Sequence, residues 1–392
     1  MGARRRTASW VLLGVVTAAL ATVAASCGGD DDLGGSLRAI QRLARQEGML
    51  ELAISPGHAS ESLVAPFARQ TGCSVTATTA TTSDGLVDLV RSEDYDGVSA
   101  TGTAAALLIA SRDVAPIDTE LVPGYGELVE GIESLPQQGS EDGPFGVPEG
   151  RAPILLLFRE DVLPEPLTSW GAIWERPGRY VGRLTIYDDP MLIALAALYL
   201  KTARPELRIE DPYQLDERQF RASVSLVRRL NPHVGEYWTR HEADQARSFV
   251  AETSLVGMTW PGQVDLVERT AVQVAAVKPD EGTTGWFDTW MISSNAAHPN
   301  CMYLWLDYVA SARVQAKLSE DLGQAPFNLT ACELTANPDH CTALHADEEP
   351  WWDDVEYATA PAEDCGDPDS EETCVGWDKW QAAWTQIRQS RS

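Results

Sequence analysis

Two hydrophobic periods alternate along this chain, one near 3.6 residues and one near two. Leu37, Ile40, Leu43 and Ala44 share one helical face, Ser36 can cap its start and Gly48 stops it, which predicts a helix over 36–47. An apolar run predicts a strand at 50–54. A helix at 62–70 follows, then an alternating strand at 73–79, a helix at 83–92, a strand at 95–100 and a helix at 104–111. Further on the same reading predicts strands at 154–158, 184–187, 255–260 and 272–277. Helices are predicted at 191–200, 219–230, 301–311 and 312–322. Repeated strand–helix–strand units imply an α/β fold with mostly parallel sheets, whose ligands collect beyond the carboxyl ends of the strands. The polar, Gly-containing stretch 136–144 reads as a hinge or crossover, and two α/β lobes joined by two crossings account for the pattern better than one long sheet.

The N-terminus follows a different pattern. Arg4, Arg5 and Arg6 precede an apolar run from Trp10 to Ala25, and Ala24-Ala25-Ser26 lead directly into Cys27. This is the layout of an export signal at 1–26, too short for a comfortable membrane span. Small residues abutting a cysteine resemble a lipobox, in which Cys27 is acylated and becomes the new N-terminus; the alternative is an ordinary signal with a chance cysteine. Residues 27–35 then read as a flexible tether. The expected location is periplasmic or cell-surface, anchored to a bacterial membrane through Cys27.

Composition narrows the class. The 392 residues carry 30 Lys+Arg against 58 Asp+Glu, a net charge of −28 that deepens to −31 once residues 1–26 are removed. Such a surface disfavours nucleic acid, which needs basic groups to displace its counterions. At 44% hydrophobic with 13 Trp, the chain can build real cores and is not a disordered acidic polymer. Cys332 with Cys341 and Cys365 with Cys374 each bracket a short polar loop, which in an exported protein reads as two disulfides; zinc competes, but without its usual two-residue spacing. Cys73 and Cys301 lie in apolar contexts and read as small core residues.

Catalytic signals are missing. There is no glycine-rich phosphate loop, no G-x-S-x-G and no H-E-x-x-H, and the six His are scattered with no metal-ligand spacing, so neither an enzyme nor a bound metal or cofactor is expected. What remains is a set of aromatic and acidic residues at predicted strand ends. Asp188-Asp189-Pro190 follows one strand, Trp260 ends another, and alternation places Trp286 and Asp288 on one face of a third. Aromatic faces and carboxylates together suit a cation, although each Trp taken singly packs into a core as readily.

These pieces occur in a particular order. Leu50 to Val75 contains an F-x-x-x-T-G run at Phe67 to Gly72. Then come Tyr95-Asp96, Pro116-Ile117-Asp118, Gly146-Val147-Pro148, Thr168 to Trp174, Asp188-Asp189, Gly257 to Gly262, Lys278 to Gly282, Trp286 to Ile292 and Gly323 to Asn328. Over about residues 48 to 330 the chain resembles the spermidine/putrescine-type solute-binding proteins of ABC importers. The resemblance implies a two-lobed periplasmic-binding-protein-like fold of type II that closes about a hinge. Lobe 1 would comprise 36–144 and 281–331, and lobe 2 would comprise 145–280. A disulfide-containing C-terminal extension, 332–392, would return to lobe 2 or to the cleft. It also implies Trp260 and Trp286 as stacking walls, Asp189 and Asp288 holding ammonium ends, and ABC permease subunits as partners of a monomer. The chain departs from the family at Ser55 and His58, where a Trp and a Tyr are usual, near Thr103 and Ala104, where a tyrosine is expected, and at Leu192, where an acid is expected. Trp351 or Trp352 is a candidate to rebuild the lost aromatic wall.

The expectation is therefore a lipid-anchored protein that captures a small cationic, polyamine-like solute. The alternatives are the same fold with another solute (an organic acid, a thiamine-like cation or a metal complex) and a surface lipoprotein that has lost transport and binds a partner. In the tail, Trp377, Trp380 and Trp384 share a helical face that docks the helix, and the acidic run 364–372 reads as a solvated loop.

Overall fold

A computed structural model describes residues 31–136, 138, 143–239, 242–365 and 373–390. The export signal, Cys27 and residues 366–372 of the acidic run lie outside the described residues. The first helix spans Asp31–Glu47. It therefore begins inside the segment read as tether: Gly34 and Gly35 each cost only about 1 kcal/mol relative to alanine, too little to stop a helix anchored by its apolar face. Ile40 and Ala44 of that face are buried, while Leu43 stays exposed.

Thirteen strands follow among the described residues: β1 (Met49–Ile54), β2 (Ser74–Thr79), β3 (Gly97–Thr101), β4 (Val114–Ala115), β5 (Val147–Pro153), β6 (Leu155–Arg159) and β7 (Leu184–Tyr187). The remainder are β8 (Val234–Trp238), β9 (Val256–Thr259), β10 (Val274–Val277), β11 (Thr283–Ser293), β12 (Ala325–Pro326) and β13 (Val355–Tyr357). They form two sheets. The first has the order β12-β5-β11-β3-β1-β2, with β4 and β13 also paired to β11, and the second has the order β10-β6-β9-β7-β8. The expected βαβ units are present: β1 is parallel to β2 and β3, and β7 is parallel to β8 and β9. The sheets are nevertheless mixed rather than mostly parallel. β11 re-enters the first sheet from the second lobe and runs antiparallel to β3 and β5, and β6 is antiparallel to β9 and β10.

This pairing moves one boundary. Residues 147–153, expected in lobe 2, form β5, which is hydrogen-bonded to β11 and β12 in the first sheet. The chain leaves that sheet at Ile154, between β5 and β6, rather than in the Gly-containing loop before it.

Each sheet organises its own core. Phe67, Phe287, Trp290, Trp305 and Phe327 are fully buried in the first. The second is built on Trp170, Trp174 and the apolar helix Leu192–Ala203, and it takes in Trp380, Trp384 and Ile387 from the tail helix Trp377–Gln389. Phe220 also joins it. Its helix, Glu217–Leu230, opens with a capping box in which Asp216 Oδ1 accepts from Gln219 N at 2.7 Å and Gln219 Oε1 accepts from Asp216 N at 2.9 Å.

The cysteines correct one expectation. Cys332–Cys341 and Cys365–Cys374 are disulfides, with Cα atoms 5.7 and 5.2 Å apart. Cys73 and Cys301 are a third pair, 6.0 Å apart, and not free core residues. Apolar surroundings hid the pairing because the partners are 228 residues apart and meet only when the helix Pro299–Ala310 packs beside the start of β2. Closing so long a loop restricts the unfolded chain strongly. Replacing both residues by alanine should lower unfolding free energy by about 3–5 kcal/mol in denaturant melts. Two titratable thiols in the unfolded, unreduced protein would show that the bond does not form.

Candidate ligand-binding cleft

The strand ends that carry the aromatic and acidic residues converge between the two sheets. β7 runs out into Tyr187, Asp188 and Asp189, β9 into Trp260, and β11 enters the first sheet through Thr284, Gly285 and Trp286. Of these, all but Asp188 line a cavity of about 70 Å³, together with Thr101 at the end of β3, Thr103 just after it, Leu192 in the second lobe and Ala358 from the tail. At ~10–15 Å³ per water, that is room for roughly five water-sized atoms.

Trp260 is the centre of its aromatic side. Its ring centroid lies 5.3 Å from Tyr187, 5.1 Å from Trp238 and 4.7 Å from Trp286, in tilted or edge-on arrangements that suit the ring quadrupoles. Trp260 belongs to the second lobe and Trp286 to the first, so this contact spans the cleft. Backbone also meets nearby: Gly323 has φ +63°, and a Cβ there would lie 2.6 Å from Gly262 Cα.

Asp189 is half-buried on the cavity wall, and its Oδ1 accepts from Met191 N at 2.8 Å, which orients the carboxylate at the start of the helix Leu192–Ala203. Asp188 turns away. Its oxygens accept from Trp384 Nε1 at 3.2 Å and Arg388 Nη2 at 2.9 Å, both on the tail helix. Tyr213 completes the polar wall. Burial first, then the nearby Asp211, Glu356 and Asp189 carboxylates, push its phenol well above the usual range. It therefore remains a donor at neutral pH, here to the Glu356 carbonyl at 3.3 Å. Leu192 faces the same cavity, so one wall is apolar where an acid was expected.

The other anticipated residues lie elsewhere. Asp288, 2% exposed, does not line the cavity. Its Oδ2 accepts from Gln324 Nε2 at 2.6 Å and stands 3.8 Å from His58 Nε2. His58 Nδ1 is hydrogen-bonded to Glu149 Oε1, and Glu149 Oε2 accepts from Trp290 Nε1. These residues form a sealed polar cluster inside the first lobe. Ser55 supports the same loop, its amide donating to Ser99 Oγ at 3.1 Å. Trp352 sits in neither place: its ring covers the Arg151 guanidinium at 4.2 Å and its Nε1 donates to the His345 carbonyl at 2.9 Å. The buried charge on β5 draws it there, and Trp351 stacks on His345 instead of entering the cleft.

Sequence reasoning missed Tyr187, Tyr213 and Glu149. Tyr187 was accessible, since it ends a predicted strand beside the Asp pair. Glu149 was not. It is the unmatched residue where the ladder shifts, Asp288 facing Gly150 and Thr289 facing Pro148, and only the pairing reveals that bulge.

Residues 62–359 match the model of the family described as bacterial extracellular solute-binding protein. The chain belongs to that family. Among its relatives is the putrescine/agmatine-binding protein of Pseudomonas aeruginosa, 23% identical over 296 residues that cover 69% of this chain and 77% of the relative. The fold of this solute-binding chain is also that of a spermidine/putrescine ABC transporter substrate-binding protein from Streptococcus pneumoniae, solved in complex with calcium and HEPES. That structure has TM-score 0.67 at 16% identity, covering 88% of this chain and 99% of the other. A binding protein from Agrobacterium tumefaciens, solved with glucopine, has TM-score 0.65 at 18% identity, covering 86% and 99%. The motif resemblance to the spermidine/putrescine-type solute-binding proteins and these matches agree.

In this family member the tail helps close the cavity. A Cβ on Gly102 would overlap the Ala358 carbonyl, a wall of the cavity. Gly102→Ala should push the tail outward and cost about 1–3 kcal/mol of stability, read as a lower thermal midpoint. An unchanged midpoint would mean that the 358 segment does not rest on Gly102.

Proposed function

We propose that this chain is the lipid-anchored capture subunit of an ABC importer for small amines. Asp189 would hold an ammonium group, and Trp260 and Trp286 would close on the attached carbons. The observation that carries the reading is that Asp189, Trp260 and Trp286, far apart in sequence and on different lobes, line one small cavity. A carboxylate gives the ammonium a charge-assisted hydrogen bond, and the indole faces add cation–π attraction. Capture between the lobes, closure, and docking of the closed form on the permease require no bond to be made or broken. The relative named for putrescine and agmatine supports an amine as cargo. The apolar Leu192 and the placement of Asp288 away from the cavity favour a solute with one strong cationic end over a long polyamine with several. Anchoring rests on Cys27 and the small residues before it.

Calorimetry with putrescine, agmatine, spermidine and a short monoamine is the direct test. The smaller amines should bind with micromolar or tighter affinity, and Asp189→Asn should weaken the best of them by at least about tenfold, or 1.4 kcal/mol. If no amine binds below about 1 mM, the cargo assignment is wrong. Cys27→Ala should release the protein from sedimented membranes; a variant that still pellets would remove the anchor.

A further inference from the structure

We propose that the buried cluster in the first lobe is a site for one divalent transition-metal ion, with His58 and Asp288 as ligands and Glu149 orienting the imidazole. The three residues come from the loop after β1, from the β5 bulge and from β11. Each is at most 3% exposed, and one donor atom from each lies within 4.8 Å of the others.

The arrangement is directional. Glu149 takes the Nδ1 hydrogen bond, so Nε2 is the nitrogen turned toward Asp288. Their 3.8 Å separation is too long for a hydrogen bond. It lies within half an ångström of the ~3.4 Å that two donors span around a tetrahedral ion at ~2.1 Å from each. Asp288 Oδ1 is buried and has no hydrogen-bond partner among the described residues, an arrangement that calls for a ligand. The supporting groups are those a metal site needs. Trp290 fixes the Glu149 carboxylate and Gln324 fixes that of Asp288, while a His whose second nitrogen is held by a carboxylate is the usual metal-bound form.

Charge points the same way. Among the described residues, no Lys or Arg pairs with Glu149 or Asp288, so two buried carboxylates share one imidazole. A divalent ion would supply the missing positive charge. The mixed nitrogen and oxygen donors favour Zn²⁺, Co²⁺ or Ni²⁺ over Ca²⁺ or Mg²⁺, which take oxygen alone. None of the three residues lines the cavity proposed for the amine, so this inference does not depend on the cargo.

The test is to strip the purified protein with a chelator, titrate it with ZnCl₂ by calorimetry and follow thermal unfolding. One ion should bind per chain with Kd of about 10 µM or tighter and raise the midpoint by several degrees at saturating metal. Glu149→Gln should weaken binding by about 10–100-fold, and His58→Ala should abolish it. Absence of a binding heat together with an unshifted midpoint in the unaltered protein overturns the proposal. So does a folded His58→Ala protein that binds zinc unchanged, since the ion would then sit on surface acids. If His58→Ala does not fold, the visible spectrum of Co²⁺ added to the unaltered protein decides. Intense bands of a low-coordinate, nitrogen-containing site support the proposal, and the weak spectrum of hydrated Co²⁺ refutes it.

Discussion

β11 is hydrogen-bonded along both edges, to β3 on one side and β5 on the other, and β4 and β13 add shorter pairings near its two ends. Of its eleven residues all are buried except Trp286, which is half-buried. A buried strand must satisfy every peptide group, so its register has no freedom. Slipping it by one residue would turn each side chain to the opposite face. Trp286 therefore meets the cleft because Ala152 holds it in place on one edge of the ladder, and Asp288, two residues deeper, meets His58 for the same reason. The strand also returns the chain from the second lobe, so the constraint that places the site is the one that joins the lobes.

The tail uses that strand as its foundation. β13 pairs in parallel with the start of β11, and the helix Trp377–Gln389 then packs Trp380 and Trp384 into the second core. Indoles bury large areas and make such docking strong. Its exposed side reaches the first lobe, where Trp377 Nε1 donates to Asp84 Oδ1 at 3.2 Å and Gln381 donates to the other oxygen. The tail thus touches both lobes. Its helix holds the second lobe by apolar burial and meets the first through solvent-exposed hydrogen bonds, which are cheaper to break when lobes separate than the buried pairing of β13 with β11.

Much of this was legible in the amino-acid pattern, for reasons that differ by residue. Helices such as Glu61–Thr71 and Ser83–Ser92 declare themselves locally, through apolar spacing, Thr82 as a cap and Gly72 as a stop. Asp189, Trp260 and Trp286 could be named because strand ends are where α/β sheets gather ligands. What stayed hidden depends on contacts between distant segments. β5 contains Pro, Glu, Gly and Arg and has no strand pattern of its own, yet β11 recruits it. The Cys73–Cys301 bond and the Glu149 bulge are products of the same topology. Trp352 shows the converse error: an aromatic residue near the cleft in sequence order was captured by Arg151, whose buried guanidinium offers a stronger partner.

Among the described residues most charged side chains lie at the surface, where salt screens groups more than about 8–10 Å apart. Selection in the cavity is a local matter. Among the described residues, Asp189 is the one carboxylate on its lining, set beside Leu192, Leu195, Met258 and Ile154. An ammonium placed at Asp189 exchanges water for a charged partner and aromatic faces. A second ammonium on the same solute, carried toward the leucines, would lose its hydration and gain nothing comparable, a penalty of several kcal/mol in an apolar site. If the cargo is an amine as proposed, discrimination between one cationic end and two would follow from which side chains line the cavity, with little contribution from the overall acidity of the chain.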